Sequence, residues 1–209
     1  HELLTQGATF FDYGCGRGDD LRSLQANGFT AQGWDPHYAP GETLAAADVV
    51  NLGFVVNVIE DFDERVTALR NAFQLARQVL LVAVMLYGNT PPPGQPYRDG
   101  YRTQRNTFQK YFTQSEFKEF VETALDAEAI TVGPGILFVF ADKRAEQCFL
   151  FGRQRSRRAT QPERILRVPR SRPLQAPRVR TSRLQALLDQ HQAHMDALWE
   201  FWLELGREP

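Results

Sequence analysis

Apolar residues in this chain come as short continuous runs separated by helical stripes. Leu3 and Leu4 end an N-terminal helix or approach segment that Gly7 breaks. Residues 8–13 read as a first strand, and 19–26 as a helix that Asn27-Gly28 closes. Thr30 to Trp34 is a second strand. Residues 36–47 carry Pro, Gly and small residues and give no strand. Ala47 to Phe54 is a buried strand, and Asp61 with Glu64 forms a capping pair opening a helix to about Gln78. Val79 to Met85 is nearly unbroken apolar sequence, as a central parallel strand requires. Residues 88–100 read as an irregular loop. Thr113-x-x-Glu116 is a capping box opening a helix to about Leu125. The runs 129–132 and 136–141, joined by Gly133-Pro134-Gly135, close the series as an antiparallel pair. Strands alternating with helices predict an α/β fold with a doubly wound sheet.

One stretch carries chemistry at once. Phe10-Phe11-Asp12-Tyr13-Gly14-Cys15-Gly16-Arg17-Gly18-Asp19 leaves a strand, turns through three glycines and enters a helix. Glycines free the backbone to turn sharply and to approach a ligand, and the open N–H groups of a helix start favour an anionic group such as a carboxylate. The spacing is D-x-G-x-G-x-G and not the G-x-G-x-x-G that serves a pyrophosphate. It resembles the first motif of the Rossmann-like S-adenosylmethionine (SAM)-dependent methyltransferases, where the acid meets a ligand bearing an ammonium and a sulfonium. A second acid, Asp35 in Gly33-Trp34-Asp35-Pro36, follows at about the distance at which such sheets place a ribose-binding carboxylate. The cofactor set is therefore Asp12, Tyr13, Gly14, Gly16, Gly18, Asp35 and Pro36, with Asn51 and Gly53 at the end of the later strand. Little room remains between Asp35 and Asp48 for the usual third strand and its helix, so no acid is assigned to the adenine amine.

Composition narrows the setting. The 209 residues fit one α/β domain plus an appendage, and 43% apolar content suffices for a core. Two cysteines build no disulfide framework, which points to a reducing cytoplasm, and no run of about eighteen apolar residues predicts a membrane span. The chain opens on His1 and not Met, as an excised fragment would. The net charge of −1 hides an asymmetry: residues 153–183 hold eleven arginines against Glu163 alone. With prolines at 162, 169, 173 and 177, that segment reads as an extended strap, suited to a polyanion or to the acidic body itself. Residues 184–205 carry an apolar stripe with Trp199 and Trp202, an amphipathic helix that docks on the domain or on a protein partner. His191 and His194 lack a third ligand, so no metal centre is expected.

Two further stretches supply candidates. In Asn51-Leu-Gly-Phe-Val-Val-Asn-Val-Ile-Glu60-Asp61, Asn57 and Glu60 serve either a polar loop and helix cap or a contact with cofactor or substrate. The stretch has no Pro-Pro-aromatic signature, which disfavours methylation of a base amino group, and no Pro-Cys pair for attack on cytosine. Residues 97–112 alternate basic and aromatic residues, either a lid packing its own rings or a surface that binds phosphates and stacks bases. The nucleic-acid candidates are Arg98, Arg102, Arg105, Lys110, Arg155, Arg157 and Arg158; the candidates for a general base are Glu60, Tyr101 and Lys110.

Four motifs in order make a more specific likeness: Asp12-Tyr-Gly-Cys-Gly-Arg-Gly-Asp-Asp, Gly33-Trp-Asp-Pro, Ala47-Asp-Val-Val-Asn-Leu-Gly with Asn57-Val-Ile-Glu-Asp, and Thr107-Phe-Gln-Lys-Tyr-Phe. Together they resemble the DNA phosphorothioation-associated methyltransferase family, over about residues 1–152. The resemblance implies a SAM-binding domain, methyl transfer to DNA or another nucleic acid in a modification or defence setting, and a longer parent chain. A non-catalytic SAM- or DNA-binding accessory and a small-molecule methyltransferase stay open beside it. The implied layout is a SAM-binding domain at 1–152, an Arg/Pro-rich strap at 153–183 and a helix at 184–209.

Overall fold

The computed structural model describes residues 7–88, 92 and 94–160, with side chains as far as 154. The N-terminal approach segment, most of the expected strap and the C-terminal helix lie outside the described residues. The element order is β1 (Thr9–Tyr13), α1 (Asp19–Ala26), β2 (Thr30–Trp34), β3 (Ala47–Gly53), α2 (Phe62–Leu75), β4 (Ala76–Ala83), β5 (Gln95–Tyr97), β6 (Gly100–Arg102), β7 (Phe108–Gln109), α3 (Gln114–Leu125), β8 (Ala129–Gly133), β9 (Ile136–Phe140) and α4 (Lys143–Thr160).

Six strands form one sheet in the order β2-β1-β3-β4-β9-β8. The first four run parallel, and β9 joins β4 antiparallel with β8 beside it. Strand order reverses between β1 and β3, which leaves a crevice at the carboxyl ends of those two strands. Among the described residues no strand lies outboard of β2; residues 36–46 form turns with one bridge, Asp35 to Ala39. The expected shortage of a third strand is therefore what the sheet displays.

β3 and β4 are buried on both faces, which is why they read as apolar runs. On one face Val50, Leu52, Leu80 and Val82 pack with Leu69 of α2 and Phe117 and Val121 of α3. On the other, Val49, Val79 and Phe140 meet Phe149 of α4. Each fully buried side chain of this size contributes about 1.5–3 kcal/mol, so the sheet and its two covering layers hold the domain.

Three expectations change. α2 stops at Leu75, and β4 begins at Ala76 with no intervening loop, so Ala76 to Gln78 are strand where helix was expected. Residues 88–100 are not wholly irregular: β5 pairs with β6, and β6 with β7, in a small antiparallel sheet spanning Gln95 to Gln109. The helix α4 runs on to Thr160, so 153–160, read as the start of an extended strap, are helical. No helix among the described residues is long and apolar enough to cross a membrane.

The capping box of α3 is complete, with Thr113 Oγ1 accepting from the Glu116 N–H at 3.2 Å and Glu116 accepting from the Thr113 N–H. Thr113→Ala removes the first bond and should cost about 1 kcal/mol in urea unfolding with an unchanged m-value.

Candidate active site

The glycine bend is sewn to the end of β2. The N–H groups of Gly14 and Cys15 donate to the Trp34 carbonyl at 2.7 and 3.1 Å. The Gly16 N–H donates to Asp35 Oδ2 at 3.0 Å, while Asp35 Oδ1 accepts from the N–H groups of His37 and Tyr38 at 2.8 and 2.9 Å. A carboxylate oxygen has two acceptor positions, so Oδ2 keeps one for a further donor. Gly14 sits at φ 90°, and a Cβ there would lie 2.4 Å from Val55 Cγ2; only glycine lets the segment after β3 close on the bend. At Gly16, φ 54°, a Cβ would meet nothing within 4 Å, so this bare backbone faces open space. Gly18 caps α1 in the left-handed region with no side-chain cap.

Asp12 lies at the end of β1, 4% exposed, and its Oδ1 accepts from Asn51 Nδ2 of β3 at 2.8 Å. Its carboxyl is pushed up to about 6, first by burial; the Asn51 bond opposes this, while Asp20 and Asp35 add to it. The Cys15 thiol is pushed up as well, by burial first and then by Asp12 and Asp35. Two different titrating groups thus register one negative field at the bend. Asn51 and Gly53, expected at the cofactor, lie at the end of β3, where Asn51 holds Asp12 and a Cβ at Gly53 would press the Asn51 amide at 3.1 Å. Tyr13 is buried with its ring 5.1 Å from that of Trp34, a packing contact, and Pro36 is exposed in the turn after Asp35.

The small sheet is fastened at the same end of the molecule. Arg65 of α2, 1% exposed, donates to both Asp99 carboxylate oxygens at 2.7 and 3.0 Å and to the carbonyls of Ile59 and Glu60. Lys110 Nζ lies 2.8 Å from Glu116 and 3.5 Å from Asp99, and the Lys110 N–H donates to the Asn57 carbonyl at 2.7 Å. Lys110 is buried in this clasp, so the ammonium offered as a base or phosphate contact is committed to two carboxylates. Glu60 Oε1 accepts from the Tyr97 hydroxyl at 3.0 Å and pairs with Arg98 at 3.2 Å. Arg102 stacks over the Tyr97 ring at 4.2 Å, and Arg105 is exposed. Tyr101 stands edge-on to Tyr111, itself 6.0 Å from Tyr87. The side chains of Arg155, Arg157 and Arg158 lie outside the described residues. Within 97–112, Arg102 meets Tyr97 and Tyr101 meets Tyr111, while Lys110, Arg98 and Tyr97 reach Glu116 and Glu60 outside the segment. Sequence reasoning missed Arg65 and assigned no part to Asp99; 34 positions separate these partners, and no local motif announces them. Among the described residues no three His, Cys, Asp or Glu side chains are grouped to hold a metal ion.

No protein-family model matches the chain, and the search of curated proteins returns no relative. Solved structures do match. A sugar N-methyltransferase from Streptoalloteichus sp. ATCC 53650 is similar over 66% of this chain and 82% of its own, with TM-score 0.50 and 13% identity. The fold is the methyltransferase fold. 1,6-Didemethyltoxoflavin-N1-methyltransferase from Burkholderia thailandensis, with bound 1,6-didemethyltoxoflavin and S-adenosylhomocysteine, matches over 67% of this chain and 73% of its own, at 18% identity and TM-score 0.49. A SAM-bound amino pentose methyltransferase from Micromonospora echinaspora matches over 67% and 86%, at 16% identity and TM-score 0.46. On the sheet of this methyltransferase fold, the glycine bend occupies the β1–α1 corner and Asp35 the end of β2.

Two outcomes test this electrostatic layout. Raising the Asp12 carboxyl from 3.8 to about 6 means the folded state holds its proton more tightly than the unfolded chain does. Stability therefore falls as pH rises from 4 to 6, and the penalty persists above. Asp12→Asn should stabilise the protein by up to about 3 kcal/mol at pH 8, with most of the gain gone at pH 4, by urea unfolding at both values. Asp99 has the opposite sign: its hydrogen bonds to Arg65 hold the carboxyl below its ordinary value, so its contribution stands at neutral pH and is lost on acidification. Asp99→Ala leaves the buried Arg65 with only the Ile59 and Glu60 carbonyls and, since Asp99 is half-exposed, should cost about 1–3 kcal/mol, with amide exchange rising first across residues 95–109.

Proposed function

We propose that this protein is a SAM-dependent methyltransferase. The observation that carries the reading is Asp12: a carboxylate buried at the end of β1 beside the glycine bend, held by Asn51 at 2.8 Å and pushed up by burial and by the charges of Asp20 and Asp35. A cationic ligand relieves that field, and a neutral or anionic one does not. The other residues fit the same group. Gly16 presents bare backbone to open space. Asp35 Oδ2 retains an acceptor position for a ribose hydroxyl. The neighbouring structures with S-adenosylhomocysteine or SAM bound share the fold and support the same cofactor.

SAM supplies a methyl group on a sulfonium, already activated toward a nucleophile. The chain's work is then to hold, align and exclude water. Asp12, steadied by Asn51, holds the cationic end, and Asp35 the ribose. The lid formed by β5–β7 borders the acceptor space through the Asn57–Lys110 bond. Where the acceptor must lose a proton, Glu60, on the segment between β3 and α2, is the base, oriented by Tyr97 and Arg98, with Tyr101 as the alternative.

A second reading concerns the acceptor: DNA or another nucleic acid, in the phosphorothioation-linked setting that the four sequence motifs resemble. It is favoured by α4, one helix that carries Arg153, Arg155, Arg157 and Arg158. Salt-sensitive DNA retention that is lost on replacing these arginines with glutamine would support it. Labelled-methyl transfer offered to DNA, RNA and metabolite pools separates this acceptor from a small molecule, and an enzyme from a binder. For the cofactor itself, Asp35→Ala should weaken SAM binding at least about tenfold in calorimetry. Unchanged affinity removes Asp35 from the site.

A further inference from the structure

The hairpin of β5 and β6 turns on Arg98, which holds φ 51° in the left-handed region. Tight hairpin turns ordinarily put glycine or asparagine there, because a longer side chain is strained. What the strain brings is placement. The Arg98 guanidinium pairs with Glu60 at 3.2 Å and lies 5.6 Å from the centre of the Tyr97 ring. The Tyr97 hydroxyl donates to the same carboxylate at 3.0 Å. Arg102 lies over that ring too, at 4.2 Å. Two guanidiniums therefore share one tyrosine.

The charges that fasten the small sheet are otherwise matched. Asp99 meets Arg65 and Lys110, Glu116 meets Lys110, and Glu60 meets Arg98, so three carboxylates answer three cations. Arg102 stands outside that matching: it is exposed, and among the described residues its partner is the Tyr97 ring and no carboxylate. Its backbone is held closely. A Cβ at Gly94 would lie 2.5 Å from the Arg102 carbonyl oxygen, so only glycine lets the chain pass there. The turn that follows is closed by the Thr103 N–H donating to the Thr107 carbonyl at 2.9 Å and by their hydroxyls, 2.7 Å apart. An exposed Gln95 stands directly opposite Arg102 on β5, a cross-strand neighbour with donors of its own. A guanidinium seated on a ring keeps its N–H donors for a partner, and its fork fits two oxygens of one anion. The seat also fixes the side chain beforehand, so binding orders less.

Resting on the methyl-transfer reading, we propose that Arg102, seated on Tyr97, anchors a phosphate group of the methyl acceptor. One tyrosine ring separates this guanidinium from Glu60, the base named above, so the phosphate is gripped one ring away from the group that takes the acceptor's proton. Arg98 adds a second cation at the same ring, which suits a group with several charged oxygens better than a lone carboxylate.

The test uses the whole protein, titrated first with S-adenosylhomocysteine by calorimetry and then kept saturated with it. Ligand-observed NMR at low ionic strength follows four probes: ribose 5-phosphate, a short thymidine oligonucleotide, gluconate and ribose. The expected result is binding of a phosphate probe and of neither control, with affinity falling roughly tenfold or more in Arg102→Gln. Arg102→Lys keeps the charge but not the fork and should lose part of it. Arg144→Gln makes the same charge change on α4 and should lose none. Tyr97→Leu keeps every cation and removes the seat, so affinity should fall there too, which bulk charge cannot produce. Arg102 is exposed, and its variants should unfold at the wild-type temperature and bind S-adenosylhomocysteine as the wild type does. Binding of ribose 5-phosphate alone supports the anchor and makes the acceptor a phosphomonoester; binding of the oligonucleotide alone supports it and makes the acceptor a phosphodiester. Equal losses in Arg102→Gln and Arg144→Gln overturn the anchor. So does full affinity in Tyr97→Leu, and so does gluconate binding as well as phosphate. A protein that binds S-adenosylhomocysteine and neither phosphate probe overturns the anchor alone. A protein that binds phosphate through Arg102 but no S-adenosylhomocysteine overturns the methyl-donor reading and, with it, the anchored group's part as methyl acceptor.

Discussion

Three backbone N–H groups converge on the Asp35 carboxylate, one from the glycine bend and two from its own turn. That convergence fixes the end of β2 to the corner between β1 and α1, and the rest of the site takes its position from it. With the bend held, Gly14 can sit against Val55, and Val55 anchors the whole segment that leaves β3. The bond from the Gly16 N–H is the one of the three that joins the two segments, and it is partly buried.

The second organising element is a buried guanidinium. Arg65 is tolerable inside the domain because Asp99 and two carbonyls meet its donors, and the ring of Phe108 lies 5.6 Å from its charge. Lys110 extends the network to Glu116 at the start of α3. One small sheet is thereby tied to two helices. Such a pairing gives position more than net stability, because desolvation offsets much of its attraction. What it supplies here is a small sheet with a defined seat.

The strands and the bend were legible because each rule acts locally. α1 and β2 have the bounds expected from Asn27-Gly28, Thr30 and Trp34, and α3 starts where its capping box lies. The end of α2 was not legible: no glycine or proline marks Leu75, and Ala76-Arg77-Gln78 suits a helix as well as a strand. β5, β6 and β7 escaped because strands of two or three residues show no alternation. The arginines of α4 masked its helix, since basic residues near prolines read as a strap. At the site, Asp12, Asp35 and the glycines were visible as a motif. The part Asn51 plays, holding Asp12 across the crevice, depends on two strands meeting in register and leaves no trace in spacing.

The junction at Leu75 and Ala76 has a consequence for how this chain can change. A helix that feeds a strand with no connecting residues has no slack to absorb length variation. One inserted or deleted residue there would turn every side chain of β4 to the opposite layer. Val79 faces one core, and Leu80 and Val82 the other, so both would be mispacked at once. Length changes among descendants of this sequence should accumulate in the turns after β2, where residues 36–46 pair through a single bridge, and leave the α2–β4 seam untouched.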